Sequence, residues 1–145
     1  TQKYVAELFR VSKNFVVWGA NNFMMEQWKG FIVWEKGIPE KFTMSMAELA
    51  AISEGLSTIS KIVRIPVQGQ TRIHPTQKPV KLYDWIFANY AEKGMKILDT
   101  HLGSASSAIA AHYAGMHLTG SEIDPDYFKA ACERVKRETR QTTFL

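Results

Sequence analysis

The period of the apolar positions changes several times along the chain, and the changes mark out its elements. In "YVAELFRVSK" the apolar residues Val5, Leu8 and Phe9 share one face of a predicted helix. "NFVVWGA" and "FIVWEKG" are short apolar runs bounded by glycine and polar residues, the pattern of buried strands. Residues 37 to 60 are ambiguous, because "MAELAAIS" fits a helix by propensity and equally a strand in a packed sheet. "SKIVRIPV" reads as a strand and "QGQTRIHPTQKP" as an ordered loop.

From residue 80 the pattern sharpens. "VKLYDWIFANYAEKG" puts Leu82, Trp85, Ile86 and Tyr90 on one side of a helix, with Gly94 where it should stop. "MKILDT" follows as a strand, "SASSAIAAHYAG" as a helix and "HLTGSEID" as a strand. The last helix, "PDYFKAACERVKRE", carries Phe128, Ala131, Cys132 and Val135 at core-facing spacing, with Asp124 as its cap and Pro125 at its first position. Alternating strands and helices predict an α/β fold with a mostly parallel sheet. No repeat, low-complexity tract or Pro/Gly linker divides the sequence, so residues 1–145 are expected to form one domain.

Composition narrows the class only slightly. There is one cysteine, Cys132, which excludes an intrachain disulfide or a cysteine cluster. No apolar run approaches the roughly 20 residues of a membrane span, and "TQKYVAELFRVSK" lacks the apolar block of a signal peptide. A cytoplasmic protein without membrane contact is the expectation. The formal net charge is +4, which permits nucleic-acid binding without demanding it. Lys61, Arg64, Arg72, Lys78 and Lys81 lie in a stretch with no acid between Glu54 and Asp84, and on charge alone this is a solvated basic face.

Chemistry enters at the strand ends, because ligands of open α/β sheets sit beyond the carboxyl ends of strands. In "ILDTHLGSASSAIAAHYAG", Asp99 to Ser104 turns a strand into a helix, and Gly103 lets the backbone approach a ligand closely. Glu122, near the end of the next strand, follows that turn by about 20 residues, the spacing of a carboxylate that accepts hydrogen bonds from a ribose diol. One glycine in such a turn is weak evidence, and even the pair does not separate NAD from S-adenosylmethionine. Just upstream, two prolines flank Thr-Gln-Lys in "RIHPTQKPVKLYDW" and set a rigid loop leading into a helix. Its amides, Thr76 hydroxyl and Lys78 suit a carboxylate, and the same residues suit a plain surface turn.

"HPTQKPVKLYDW" followed by "ILDTHLGSASSAIAAHYAGMHLTGSEIDPDYF" resembles the amino-group DNA methyltransferases that use S-adenosylmethionine, in the bacterial and phage type whose catalytic motif precedes the cofactor motifs. The resemblance spans nearly the whole chain, loosely over residues 37 to 70. It implies a Rossmann-like fold, a three-layer αβα sandwich. It implies that His74, Thr76, Gln77 and Lys78 help hold the methionine end of the cofactor. The stretch Asp99, His101, Leu102, Gly103, Ser104 and Ala105 would lie beneath the same moiety, Glu122 would bind the ribose hydroxyls, and Ile123 would adjoin the adenine ring. It further implies S-adenosylhomocysteine as product, no metal, and double-stranded DNA as partner, and it leaves a homodimer open. Adenine N6 is preferred over cytosine N4, from overall resemblance.

The sequence departs from this family at two points. Ala105 stands where the family has a glycine, and its methyl either crowds the cofactor or is tolerated. The larger departure is catalytic. The family extrudes its target base and orients the amine with an Asp/Asn/Ser-Pro-Pro-aromatic motif, and no Pro-Pro dipeptide occurs in residues 1–145. That motif is expected upstream of Thr1, and the chain alone is then an incomplete enzyme or a non-catalytic remnant. "DPDY", residues 124 to 127, imitates the motif but follows the ribose-binding acid and opens a helix, so it reads as a cap. His101, His112 and His117 lack metal-site spacing. Trp18, Asn21, Asn22 and Phe23 are candidates for a target-base pocket, with Trp18 equally readable as core. Arg64, Arg72 and Lys81 are candidates for phosphate contacts.

Overall fold

The computed structural model describes residues 2–22, 28–67, 69 and 71–140. The chain gathers into two compact units, Thr1–Val67 and Gln68–Leu145.

The first unit opens with helix α1 (Gln2–Val11) and is built on a sheet of β1 (Val16–Trp18), β2 (Gly30–Glu35), β3 (Ala47–Ile52) and β4 (Lys61–Arg64), ordered β1-β3-β2-β4. β3 runs antiparallel to both neighbours, with Val17 opposite Ala51 and Ile32 opposite Ala50, whereas β4 joins β2 in parallel. The ambiguous "MAELAAIS" is therefore a strand. Its Ala50, Ala51 and Ile52 are buried with Ile32, Trp34 and Val63. Local propensity does not decide such a segment, because partners on both edges do. Trp34 is buried and donates its indole N–H to the Ile65 carbonyl at 2.8 Å, so its one polar atom is satisfied.

The second unit contains α2 (Val80–Tyr90), β5 (Lys96–Asp99), α3 (Ser106–Ala114), β6 (His117–Gly120) and α4 (Pro125–Thr139). β5 and β6 pair in parallel, Lys96 opposite His117 through Asp99 opposite Gly120, as a βαβ connection requires. α2 packs on α3, and the buried residues are Leu82, Ile86 and Phe87 on α2 and Ser106, Ser107, Ile109, Ala110 and Ala111 on α3. α2 stops at Tyr90, where Ala91 turns extended, a few residues before the expected Gly94. Gly94 instead carries a positive φ in the turn to β5. Asp124 caps α4 with Pro125 at its first position. The buried face of α4 is Ala131 and Arg134, while Phe128 is exposed, so the face lies about one position from the one expected. Among the described residues no helix is long and apolar enough to cross a membrane.

Candidate functional site

The parallel register sets Asp99 beside Gly120, so the loops leaving β5 and β6 emerge side by side. They are laced together by backbone bonds, Ser121 N–H to the Asp99 carbonyl at 2.9 Å and Leu102 N–H to the Ser121 carbonyl at 2.8 Å. Asp99 closes the loop on itself. One carboxylate oxygen accepts the His101 amide at 3.0 Å and the other accepts the Ser107 hydroxyl at 2.5 Å, tying the strand end to the first turn of α3. Leu102 lies over Gly120, where an added Cβ would stand 2.7 Å from a Leu102 methyl. A side chain at Gly120 would require Leu102 to shift.

Glu122 closes the site from the other strand. Its Oε2 accepts the Gly103 amide at 2.9 Å and its Oε1 accepts the Asp124 amide at 3.0 Å. The Asp124 amide first, then the Gly103 amide, the charge of His74 and the Ile123 amide hold the carboxyl below its ordinary range, against an opposing effect of burial. Each carboxylate oxygen has two lone pairs, so both remain able to accept a ligand hydroxyl. Ile123, next in the chain, is 99% exposed, an apolar side chain held out beside the acid.

The loop before α2 meets this arrangement through His74. Its ring packs on Tyr127 with centroids 4.4 Å apart and planes at 62°. It also faces Gly103, where an added Cβ would sit 3.5 Å from Nδ1. His74 Nδ1 accepts the Thr76 amide at 3.3 Å, and the Thr76 hydroxyl lies 3.1 Å away. Gln77 is buried and its amide turns inward, accepting from Ile73 N–H at 3.0 Å and donating to the Thr71 carbonyl at 3.1 Å. In this structure Gln77 braces the loop. Thr76 is exposed and Lys78 is half-buried.

Ser104 and Ala105 are buried at the turn into α3. Ala105, with φ 61° and ψ 28°, is the one non-glycine residue with positive φ among the described residues. Its neighbours are held from α4. Arg134, only 7% exposed, donates from Nη1 to the Ser104 carbonyl at 2.9 Å and the Ser106 hydroxyl at 2.8 Å, and from Nε to Glu138 at 2.9 Å. Sequence reasoning passed over Arg134, Tyr127 and Ser107. The available signal was the α4 stripe Tyr127, Ala131, Arg134, Glu138, which reads as a buried face only if an arginine is allowed on it.

The remaining candidates are placed as follows. Trp18, half-buried, packs edge-on against Trp34 in the first unit, with ring centroids 6.0 Å apart. Exposed Asn21 and Asn22 line a cleft of about 390 Å³ with Val33, Ser45, Glu48 and Leu49. Phe23 lies outside the described residues. Arg64 is paired with Glu35 at 2.7 Å on the surface. Arg72 and Lys81 are exposed in the second unit. Asp124 Oδ1 accepts the Asp126 and Tyr127 amides at 2.9 and 3.0 Å, so "DPDY" is a helix cap. Among the described residues no three His, Cys, Asp or Glu side chains group closely enough to hold a metal ion.

Solved structures share this architecture. M1.HpyAVI in complex with SAM aligns with a TM-score of 0.61 at 21% identity, over 92% of this chain and 69% of its own. The cytosine-N4-specific PvuII DNA methyltransferase aligns with a TM-score of 0.60 at 11% identity, over 97% and 61%. The fold is thus the Rossmann-like α/β fold of methyltransferases. A family model described as DNA methylase, the N6/N4 methyltransferase family, matches residues 16–133, and the chain belongs to that family. The type II methyltransferase M2.DpnII of Streptococcus pneumoniae is 34% identical over 65 residues, which are 45% of this chain and 24% of that protein. The match spans about a quarter of that curated relative.

Proposed function

We propose that this chain carries the S-adenosylmethionine site of a DNA methyltransferase that methylates an exocyclic amino group of a DNA base, with adenine N6 preferred over cytosine N4. One observation carries the reading. His74, Gly103 and Glu122, from three separate motifs, converge at the carboxyl ends of two parallel strands. The residues fit the cofactor. Glu122 retains lone pairs for two ribose hydroxyls, and exposed Ile123 offers an apolar face to a purine. When bound, S-adenosylmethionine supplies an electrophilic methyl group. The residues here bind and orient it, which is the main protein contribution in such a transfer.

Calorimetric titration and thermal melts of the chain test this reading. S-adenosylmethionine at 100 times its dissociation constant should stabilise the fold by about 2.7 kcal/mol. Glu122→Ala should weaken binding about tenfold or more, through lost charge-assisted hydrogen bonds, with the circular dichroism spectrum retained. Absence of both heat and melting shift would refute the cofactor assignment. A second reading is a non-catalytic S-adenosylmethionine- or DNA-binding protein of the same fold. Residues 1–145 hold no Pro-Pro-aromatic run, so an assay of these residues alone with labelled cofactor is expected to show no methyl transfer to duplex DNA.

A further inference from the structure

Arg134 stands on α4, outside the motifs that carry the family resemblance, and it is buried. A cation leaves water only where acceptors meet its protons. Glu138, one turn along the same helix, supplies one acceptor and the opposing charge. The other two acceptors, the Ser104 carbonyl and the Ser106 hydroxyl, flank the left-handed Ala105. Gripping the Ser104 carbonyl fixes the rotation of the peptide that joins Ser104 to Ala105. This is the joint at which the loop is held against the preference of an L-residue, and such a conformation persists only where its surroundings over-determine it.

We infer that Arg134 is a positioning residue for the cofactor loop: from behind, it holds residues 103–106 in their binding shape and thereby sets affinity for S-adenosylmethionine without touching it. The identity of the ligand rests on the function proposed above, while the loop-holding role rests on the geometry alone. Space filling does not explain the residue, because an apolar side chain fills the same space without the cost of desolvating a charge. Both bonds from Nη1 are directed at the loop.

The test compares Arg134→Met and Arg134→Lys with the unchanged 145-residue chain, by residue-resolved amide hydrogen exchange and by titration with S-adenosylmethionine. In Arg134→Met the amides of residues 102–107 should exchange about tenfold faster or more, while those of α2 keep their protection. The dissociation constant should rise about tenfold or more through lost preorganisation. Arg134→Lys, with its charge kept and its fork lost, should fall between. Unchanged exchange in the loop overturns the inference, as does equal acceleration across α2, which would make Arg134 a general stabiliser. Selective loop exchange with unchanged affinity overturns the link to binding. If the unchanged chain does not bind S-adenosylmethionine, the proposed function fails, and selective exchange still supports the loop-holding role. Should Arg134→Met not fold, Arg134→Lys decides by the same two measurements.

Discussion

Ala105 combines two demands that pull in opposite directions. Its backbone is left-handed, which costs an L-residue roughly 1–2 kcal/mol, yet its methyl is buried and contributes up to about 0.8 kcal/mol. Glycine would relieve the strain, give up the methyl and lose more chain entropy on folding, about 0.5–1 kcal/mol. The opposing effects nearly cancel, so Ala105→Gly should change stability by less than about 1 kcal/mol. Ala105→Val, β-branched at positive φ in a closed site, should lose at least about 2 kcal/mol. Urea midpoints at a common slope separate the two outcomes. The family glycine at this position thus has a backbone reason, and the methyl of Ala105 is enclosed.

At the scale of elements, the β5-α3-β6-α4 run was readable because its period switches cleanly and Gly115 and Asp124 mark helix ends by known chemistry. β3 was not, since its identity comes from pairing with β1 and β2 on both edges, which no local window contains. The α4 face was misread by about one position because a charged residue is ordinarily assigned to solvent, whereas Arg134 points inward toward acceptors at the start of α3 and on the loop before it. The same limit hid part of the site. Glu122 and Gly103 were visible by spacing, but the bond between them depends on the register of two strands. The α4 cap offers a direct check. Asp124→Ala frees the amides of Asp126 and Tyr127 and should cost about 1 kcal/mol, within the usual 0.5–2 range, read from the same urea curves. A loss of that size is the signature of a cap.

For the whole molecule, charge is the property that bears on the proposed partner. The net charge of +4 is modest, and Arg64 already pairs with Glu35, leaving Arg72 and Lys81 as the exposed cations singled out in the second unit. Two phosphate contacts give a salt slope near −1.8, about a tenfold loss of duplex affinity between roughly 50 and 200 mM salt. Fluorescence anisotropy with a labelled duplex measures it, and a flat salt response would argue against phosphate contacts.

The described groups that shape the proposed cofactor site, from the Thr71 carbonyl to the Glu138 carboxylate, come from one stretch of the second unit. The site therefore does not depend on where that stretch stands in a gene. Wherever it stood, the stretch would carry its acid, its glycine turn and its buried arginine along together.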